Sequence, residues 1–194
     1  MFMKTILFID GRNFIDKIRS ALDPNKEKDI NFSSYNFKGL INKVLSGVDI
    51  DRKIFYFAKL IRHPQTIEKS EELIEKQRKL KTHMEEQGFE VILAGRVRGH
   101  IEKCPRGHTT LTFREKGVDV RIAVDMITLA RDEGLKTAII GSSDFDLQPA
   151  IKELKKIKIE RIYLGFEDNP NEGLTFTTDR TILVRNSEVI EFAG

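Results

Sequence analysis

At 194 residues the chain has the length of one domain with a sizeable core, or of one domain and a small appendage. Its formal net charge of +3, from 33 Lys and Arg against 30 Asp and Glu, does not by bulk charge mark a nucleic-acid binder. The single cysteine, Cys104, excludes an intrachain disulfide and fits a reducing compartment, and no apolar stretch has the length of a membrane-spanning helix.

The opening Met1-Phe2-Met3-Lys4 and the apolar run after it superficially suggest a signal peptide. That run is too short, and Asp10 ends it without a small-residue cleavage site, so a cytoplasmic, soluble protein is expected. Residues 5–9 (TILFI) predict a strand buried on both faces and bounded by Asp10-Gly11. Residues 13–22 predict a short helix stopped by Asp23-Pro24-Asn25. Phe37, Leu40, Ile41, Val44 and Leu45 recur at helical spacing, with Gly47 as a stop. Residues 53–59 predict a second buried strand. Residues 66–87 predict an amphipathic helix with an apolar stripe of Ile67, Leu73, Ile74, Leu80 and Met84, i,i+4 pairs Glu72–Lys76 and Glu75–Lys79, and Gly88 as its cap. Residues 90–94 predict a third strand.

Residues 95–114 carry the alternation Thr110-Leu111-Thr112-Phe113 and a turn signal at Pro105-Arg106-Gly107, which predict a projecting hairpin. Within residues 95–116, Arg96, Arg98, Lys103, Arg106, Arg114 and Lys116 face only Glu102 and Glu115. This local excess is the footprint expected for a phosphate backbone. His100, Cys104 and His108 stand four residues apart, but structural zinc takes four ligands at tighter paired spacing, so polar side chains on the surface of a basic hairpin are the better account. His63 and His83 read as ordinary surface residues. Residues 117–131 predict a helix apolar around most of its circumference, hence sandwiched inside the domain. A fourth strand over 137–141, a helix over 145–156 with Pro149 in its early turns, and a fifth strand over 159–164 follow. Beyond about residue 165, a loop over 167–173 precedes a short strand and docking tail within 181–192. Strands alternating with helices imply one α/β domain, residues 1–194, with a mainly parallel sheet covered on both faces and ligands bound beyond the strands' carboxyl ends.

Acids fall at those ends in three separated segments. Asp10 closes the first strand, as a turn residue or as a ligand; Asn13 is an N-cap or an orienter of water or phosphate. Asp119 lies in the first turn of its helix, where the helix dipole alone favours an acid. Asp125, six residues on and one turn after Arg121, reads as a structural ion pair behind the site. Asp144 and Asp146 sit beside Ser142 and Ser143, and Ser143 with Asp146 resembles a capping box. Isolated charge among core residues is expensive, and acids gathered at one end of a sheet share that cost with a divalent cation. Oxygen ligands suit magnesium or manganese. Neither a Walker sequence nor Gly-x-Gly-x-x-Gly occurs, which disfavours nucleotide-fuelled and dinucleotide enzymes. An aspartyl-phosphate phosphatase would need an acid where Arg12 follows Asp10.

Three segments, FIDGRNF (residues 8–14), KGVDVRIAVDM (116–126) and GSSDFDLQPAI (141–151), in this order resemble an NYN domain of the PIN-like superfamily, a ribonuclease group that includes the LabA-like proteins. The resemblance runs from Lys4 to about Leu164. It implies a three-layer α/β/α, Rossmann-like fold and an acidic pocket binding Mg2+ or Mn2+, with in-line hydrolysis of RNA that leaves a 5′-phosphate. By motif match Asp10, Asp119 and Asp144 carry over as the metal-site acids, supported by Asn13 and Asp146. Arg12, Ser142, Ser143, Lys116, Arg96 and Arg98 are expected to contact the RNA, with Asp125 behind them. The usual third motif resembles Gly-Asp-Ser-Asp-Phe. Here Ser142 replaces its first acid, so a catalytically weak RNA-binding or regulatory module is the alternative. Single-stranded or structured RNA is the expected partner, with no membrane association. The long charged helix and apolar C-terminal segment also leave a homodimer open.

Overall fold

The computed structural model describes residues 4–193 except 26, 28, 29, 104–108 and 133, and omits the side chains of 98, 100–103, 109 and 110. The strands are β1 (Lys4–Asp10), β2 (Arg52–Lys59), β3 (Glu90–Lys103), β4 (Thr109–Lys116), β5 (Leu135–Gly141), β6 (Glu160–Phe166) and β7 (Arg180–Val184). The helices are α1 (Gly11–Leu22), α2 (Phe37–Val44), α3 (Ile67–Glu86), α4 (Val118–Asp132), α5 (Gln148–Lys156), α6 (Glu172–Thr177) and α7 (Asn186–Glu191). One seven-stranded sheet runs in the order β4-β3-β2-β1-β5-β6-β7, parallel throughout except for the antiparallel β3–β4 pair. The chain winds outward from β1 to β2 and β3, then restarts on the other flank at β5. The switch point therefore lies between the carboxyl ends of β1 and β5, where open α/β sheets bind ligands.

The continuous apolar runs of β1, β2, β5 and β6 are buried because helices cover both faces. Alternate residues separate two cores. Leu7 and Ile9 pack with Phe14, Phe37, Met84 and Val189 under α1, α2, α3 and α7; Ile6 and Phe8 pack with Ile122, Met126, Ile151 and Leu174 under α4, α5 and α6. Among the described residues no helix is long and apolar enough to cross a membrane.

Several expectations from sequence are corrected. α4 is not sandwiched: only Val118, Ile122 and Met126 are buried, while Val120 and Val124 are exposed, because helix covers that face of the sheet in a single layer. β3 does not end at Ala94. It passes through Gly95, whose positive φ of 67° and 2.0 Å clearance between a built Cβ and the Lys116 carbonyl oxygen admit only glycine, and continues to Lys103. The strand pairs antiparallel with β4 from Arg96–Lys116 to Lys103–Thr109; the Pro105-Arg106-Gly107 turn, Cys104 and His108 lie outside the described residues. The expected loop over 167–173 gives way to α6 at Glu172, with Asn171 as N-cap. The docking tail expected within 181–192 is present: Val189 is buried, Tyr35 Oη donates to the Val189 carbonyl at 2.9 Å, and α7 lies against α1 and α2. His83 is not free at the surface, for its Nε2 meets the Tyr35 carbonyl oxygen at 2.8 Å.

Candidate active site

Asp10 has the same strand parity as Ile6 and Phe8, so it belongs to the α4 side of the sheet, at the switch point. Its residue is buried, and its Oδ1 accepts the Asn13 amide at 3.1 Å as the N-cap of α1. Asp10, not Asn13, is therefore the cap. Gly11 follows because the Phe57 ring occupies the place of a β-carbon, 2.3 Å away. Asn13 is freed for another task. Its Oδ1 accepts the Ser143 amide at 3.1 Å and ties the first acidic segment to the third.

After β5 the chain turns sharply. Ser142, buried, accepts the Asp144 amide through Oγ at 3.1 Å, and Asp144 Oδ1 accepts the Asp146 amide at 2.8 Å, capping the short 3-10 turn Phe145–Leu147. The Ser143–Asp146 capping box is thus replaced by Asp144, which is half-buried while Asp146 is exposed. Asn171, within the stretch expected to be plain loop, donates from Nδ2 to the Ser143 carbonyl at 2.9 Å. Both backbone polar groups of Ser143 are held by asparagines.

Asp119, half-buried, enters from the first turn of α4. Burial is the main cause that pushes the Asp10 carboxyl up to about 6; the Asn13 amide opposes it, and Asp119, Glu115 and Asp144 raise it further. Asp119 is likewise raised, by burial and then by Asp144 and Asp146. Four carboxylates from three separated segments, Asp10, Glu115 with Asp119, and Asp144, are therefore electrostatic neighbours. Glu115 was missed by sequence reasoning, which counted it only as an acid within a basic stretch; its position at the end of a strand, two residues before Gly117, was the available signal. As a residue Glu115 is exposed, yet crowding of its carboxyl raises it, Arg12 opposes, and Asp16 and Asp119 add to the rise.

Asp125 stands apart from this group, bonded to Arg121 Nε at 2.8 Å and to Tyr56 Oη at 3.1 Å, a structural pair as its spacing suggested. Arg12 is exposed and paired with Asp16 at 2.6 Å. Arg96 and Lys116 are exposed and directly opposite one another at the base of the hairpin. Arg98 is placed by its backbone alone. Among the described residues no three His, Cys, Asp or Glu side chains form a ready ion cage. The donor set is nonetheless all oxygen, and its raised carboxyls mark charge in need of a counter-charge, which fits a hard divalent cation.

An acidic cluster at the switch point of a mainly parallel, doubly covered sheet defines an α/β/α domain with carboxylates at its ligand-binding edge. The chain belongs to the NYN domain family, whose model matches residues 4–185. That family is generally nuclease-like. No curated protein matches the chain. Among solved structures it is similar to the crystal structure of a protein of unknown function from Vibrio parahaemolyticus, with 17% identity and a TM-score of 0.57 over 94% of this chain and 93% of that one. At that identity the likeness shows the fold alone.

Proposed function

We propose that the protein is a metal-dependent ribonuclease whose acidic pocket binds Mg2+ or Mn2+. The observation that carries this reading is Asp10, buried at the switch point and raised to about 6 with Asp119, Glu115 and Asp144 around it. Asp10, Asp119 and Asp144 would hold the ion, with Glu115 and Asp146 at its margin. Magnesium commonly takes only one or two carboxylates, with waters and substrate phosphate oxygens filling its shell, so these three acids are enough to hold it. When bound, the ion supplies a water of lowered pKa and neutralises charge on the transferring phosphoryl group.

The chain's own residues do the rest. Asn13 and Asn171 hold Ser143 and so fix where Asp144 stands. Arg96 and Lys116 place two cations directly opposite each other across the β3–β4 ladder, an unfavourable pairing that a phosphate would relieve. Arg12, whose exposed ion pair with Asp16 costs little to exchange, offers a further phosphate contact. Turnover of single-stranded RNA with manganese, measured for wild type, Asp10→Asn and Asp144→Asn, tests the assignment. Loss of activity in both variants is expected, and equal cleavage by all three would assign the activity to a contaminant.

A second reading, an RNA-binding module with weak turnover, rests on Ser142, a buried hydroxyl where the family pattern has a carboxylate. RNA binding that ignores chelator, with no turnover over long incubation, would favour it.

A further inference from the structure

On the sheet face opposite α4, a groove of about 520 Å3 opens between α1 and α3, a volume in the ~300–1,000 Å3 range of ligand sites. It exists because α3 does not bury its apolar stripe along its whole length. Of its apolar stripe, Met84 is fully buried, whereas Leu73 is 41% and Ile67 47% exposed. Midway, the helix is held by a polar side chain: Gln77 Nε2 donates to the Ala58 carbonyl at 2.9 Å, and its Oε1 accepts the Leu60 amide at 3.2 Å. One sheet residue beneath it, Leu93, is left partly uncovered, whereas Phe57 beside it is buried. Leu93 is 37% exposed and, with Phe57 and Val91, floors the groove, while Leu73 and Leu80 wall it.

The rim has the opposite character. Among the described residues, Arg12, Arg19, Lys76, Lys79 and Lys81 line it against Asp16 and Glu115. Glu115 and Arg12 form the end nearest the acidic cluster, since Glu115 is among the charges that raise Asp10 and Arg12 acts on Glu115. Arg19 lies 5.2 Å from the centre of the Phe32 ring, so one side already pairs a cation with an aromatic face.

We propose that this groove is the binding site for a single-stranded RNA segment that leads to the acidic cluster, with bases against the exposed Leu73 and Leu93 and phosphates on Lys76, Lys79 and the two arginines. The inference rests on the nuclease reading and adds the path its substrate takes. Apolar floor beside basic rim is the combination that single strands require, because only an unpaired strand presents base faces and phosphates together. A duplex hides its base faces and would meet the rim alone. The rim cations that are paired sit in exposed bridges, such as Lys76–Glu72 at 2.9 Å, which contribute little and exchange readily for phosphate.

The test uses the full chain in chelator, so that binding is read without cleavage, with a short fluorescein-labelled single-stranded oligouridylate and a duplex RNA of the same length. Lys76→Glu with Lys79→Glu, both at exposed positions, should weaken single-strand binding about tenfold or more and reduce the salt slope by about 1.4, at about 0.7 per phosphate contact. Leu73→Ser should weaken single-strand binding a few-fold with the slope unchanged and leave duplex binding as it was. Thermal melts check that both variants fold. Wild-type affinity and slope in both variants would overturn the proposal, as would equal losses for duplex and single strand in Leu73→Ser. Manganese-dependent turnover that needs Asp10, beside groove variants that bind normally, would end the groove proposal alone. Groove-dependent binding without any turnover would support the groove and end the nuclease reading.

Discussion

Asn13 and Ser143, 130 residues apart in sequence, are joined by a hydrogen bond from the Ser143 amide to Asn13 Oδ1 at 3.1 Å. With Asn171 on the Ser143 carbonyl, the turn that carries Asp144 is clamped from both sides of the switch point. Asn13→Ala removes one such bond at a half-buried site and should cost about 1 kcal/mol. Asn171→Ala removes its clamp and the N-cap of α6, where its Oδ1 accepts the Leu174 amide at 2.9 Å, and should cost about 2 kcal/mol. Denaturant midpoints at constant slope measure both. Turnover should fall further than stability in each, because Asp144 loses its fixed position. A variant that is destabilised yet fully active would remove the clamp from the mechanism.

Asp10 gives the fold a pH dependence of definite sign. Its carboxyl is raised from 3.8 to about 6, so between those values the folded protein holds a proton that the unfolded chain has released. Stability therefore falls as pH rises through that window and stays lower above it, by on the order of 2–3 kcal/mol. Asp10→Asn keeps the capping acceptor and abolishes the charge. In chelator near neutral pH it should melt on the order of 5 °C above wild type, and the two should converge near pH 4. Manganese should raise the wild-type melting temperature and leave the variant nearly unmoved. Parallel melting curves across the pH range would contradict the electrostatic account.

Away from the site, Arg161 on β6 is buried and donates from Nε to Asp179 Oδ2 at 2.9 Å and from Nη1 to the Thr177 carbonyl at 3.0 Å. Burial acts to raise Asp179, but the Arg161 side chain and amide together outweigh it and hold the carboxyl below its ordinary range. A group lowered in this way contributes stability above its unfolded pKa that is lost as pH falls. Asp179→Ala leaves a buried guanidinium half-satisfied and should cost about 2–3 kcal/mol, below the fully buried case because Asp179 is 44% exposed. Urea titration reads this directly, and a loss under about 0.5 kcal/mol would show that Thr177 and water suffice.

Local pattern made the fold legible. The runs at residues 5–9, 53–59, 137–141 and 159–164 are β1, β2, β5 and β6, since a strand buried on both faces needs unbroken apolar sequence. β7 is the short strand expected within 181–192, with bounds left open because its exposed residues break that pattern. α4 misled for a related reason: Val120 and Val124 are apolar without being core, and periodicity does not report what lies opposite a helix. At the site, Asp10, Asp119 and Asp144 stood out because each interrupts apolar sequence. Glu115 and Asn171 did not, because their partners Asp10 and Ser143 are distant in sequence and only the sheet order brings them near.

Ser142 offers the sharpest test of how the pocket is tuned. It is 3% exposed, and its hydroxyl accepts the Asp144 amide, so the position is lodged inside the acidic turn. Ser142→Asp preserves an acceptor for that amide while adding a carboxylate beside groups that already raise Asp10 and Asp119. Without divalent ions the added charge has no compensation and should cost about 2 kcal/mol or more. With manganese the same charge would serve as a further ligand. The ion concentration for half-maximal turnover of single-stranded RNA should then fall about tenfold, because affinity for hard cations rises with the number of charged oxygens offered. Stability and metal response must move in opposite directions for this account to hold. A variant that is destabilised equally with and without manganese, and whose metal requirement is unchanged, would place Ser142 outside the reach of any bound ion.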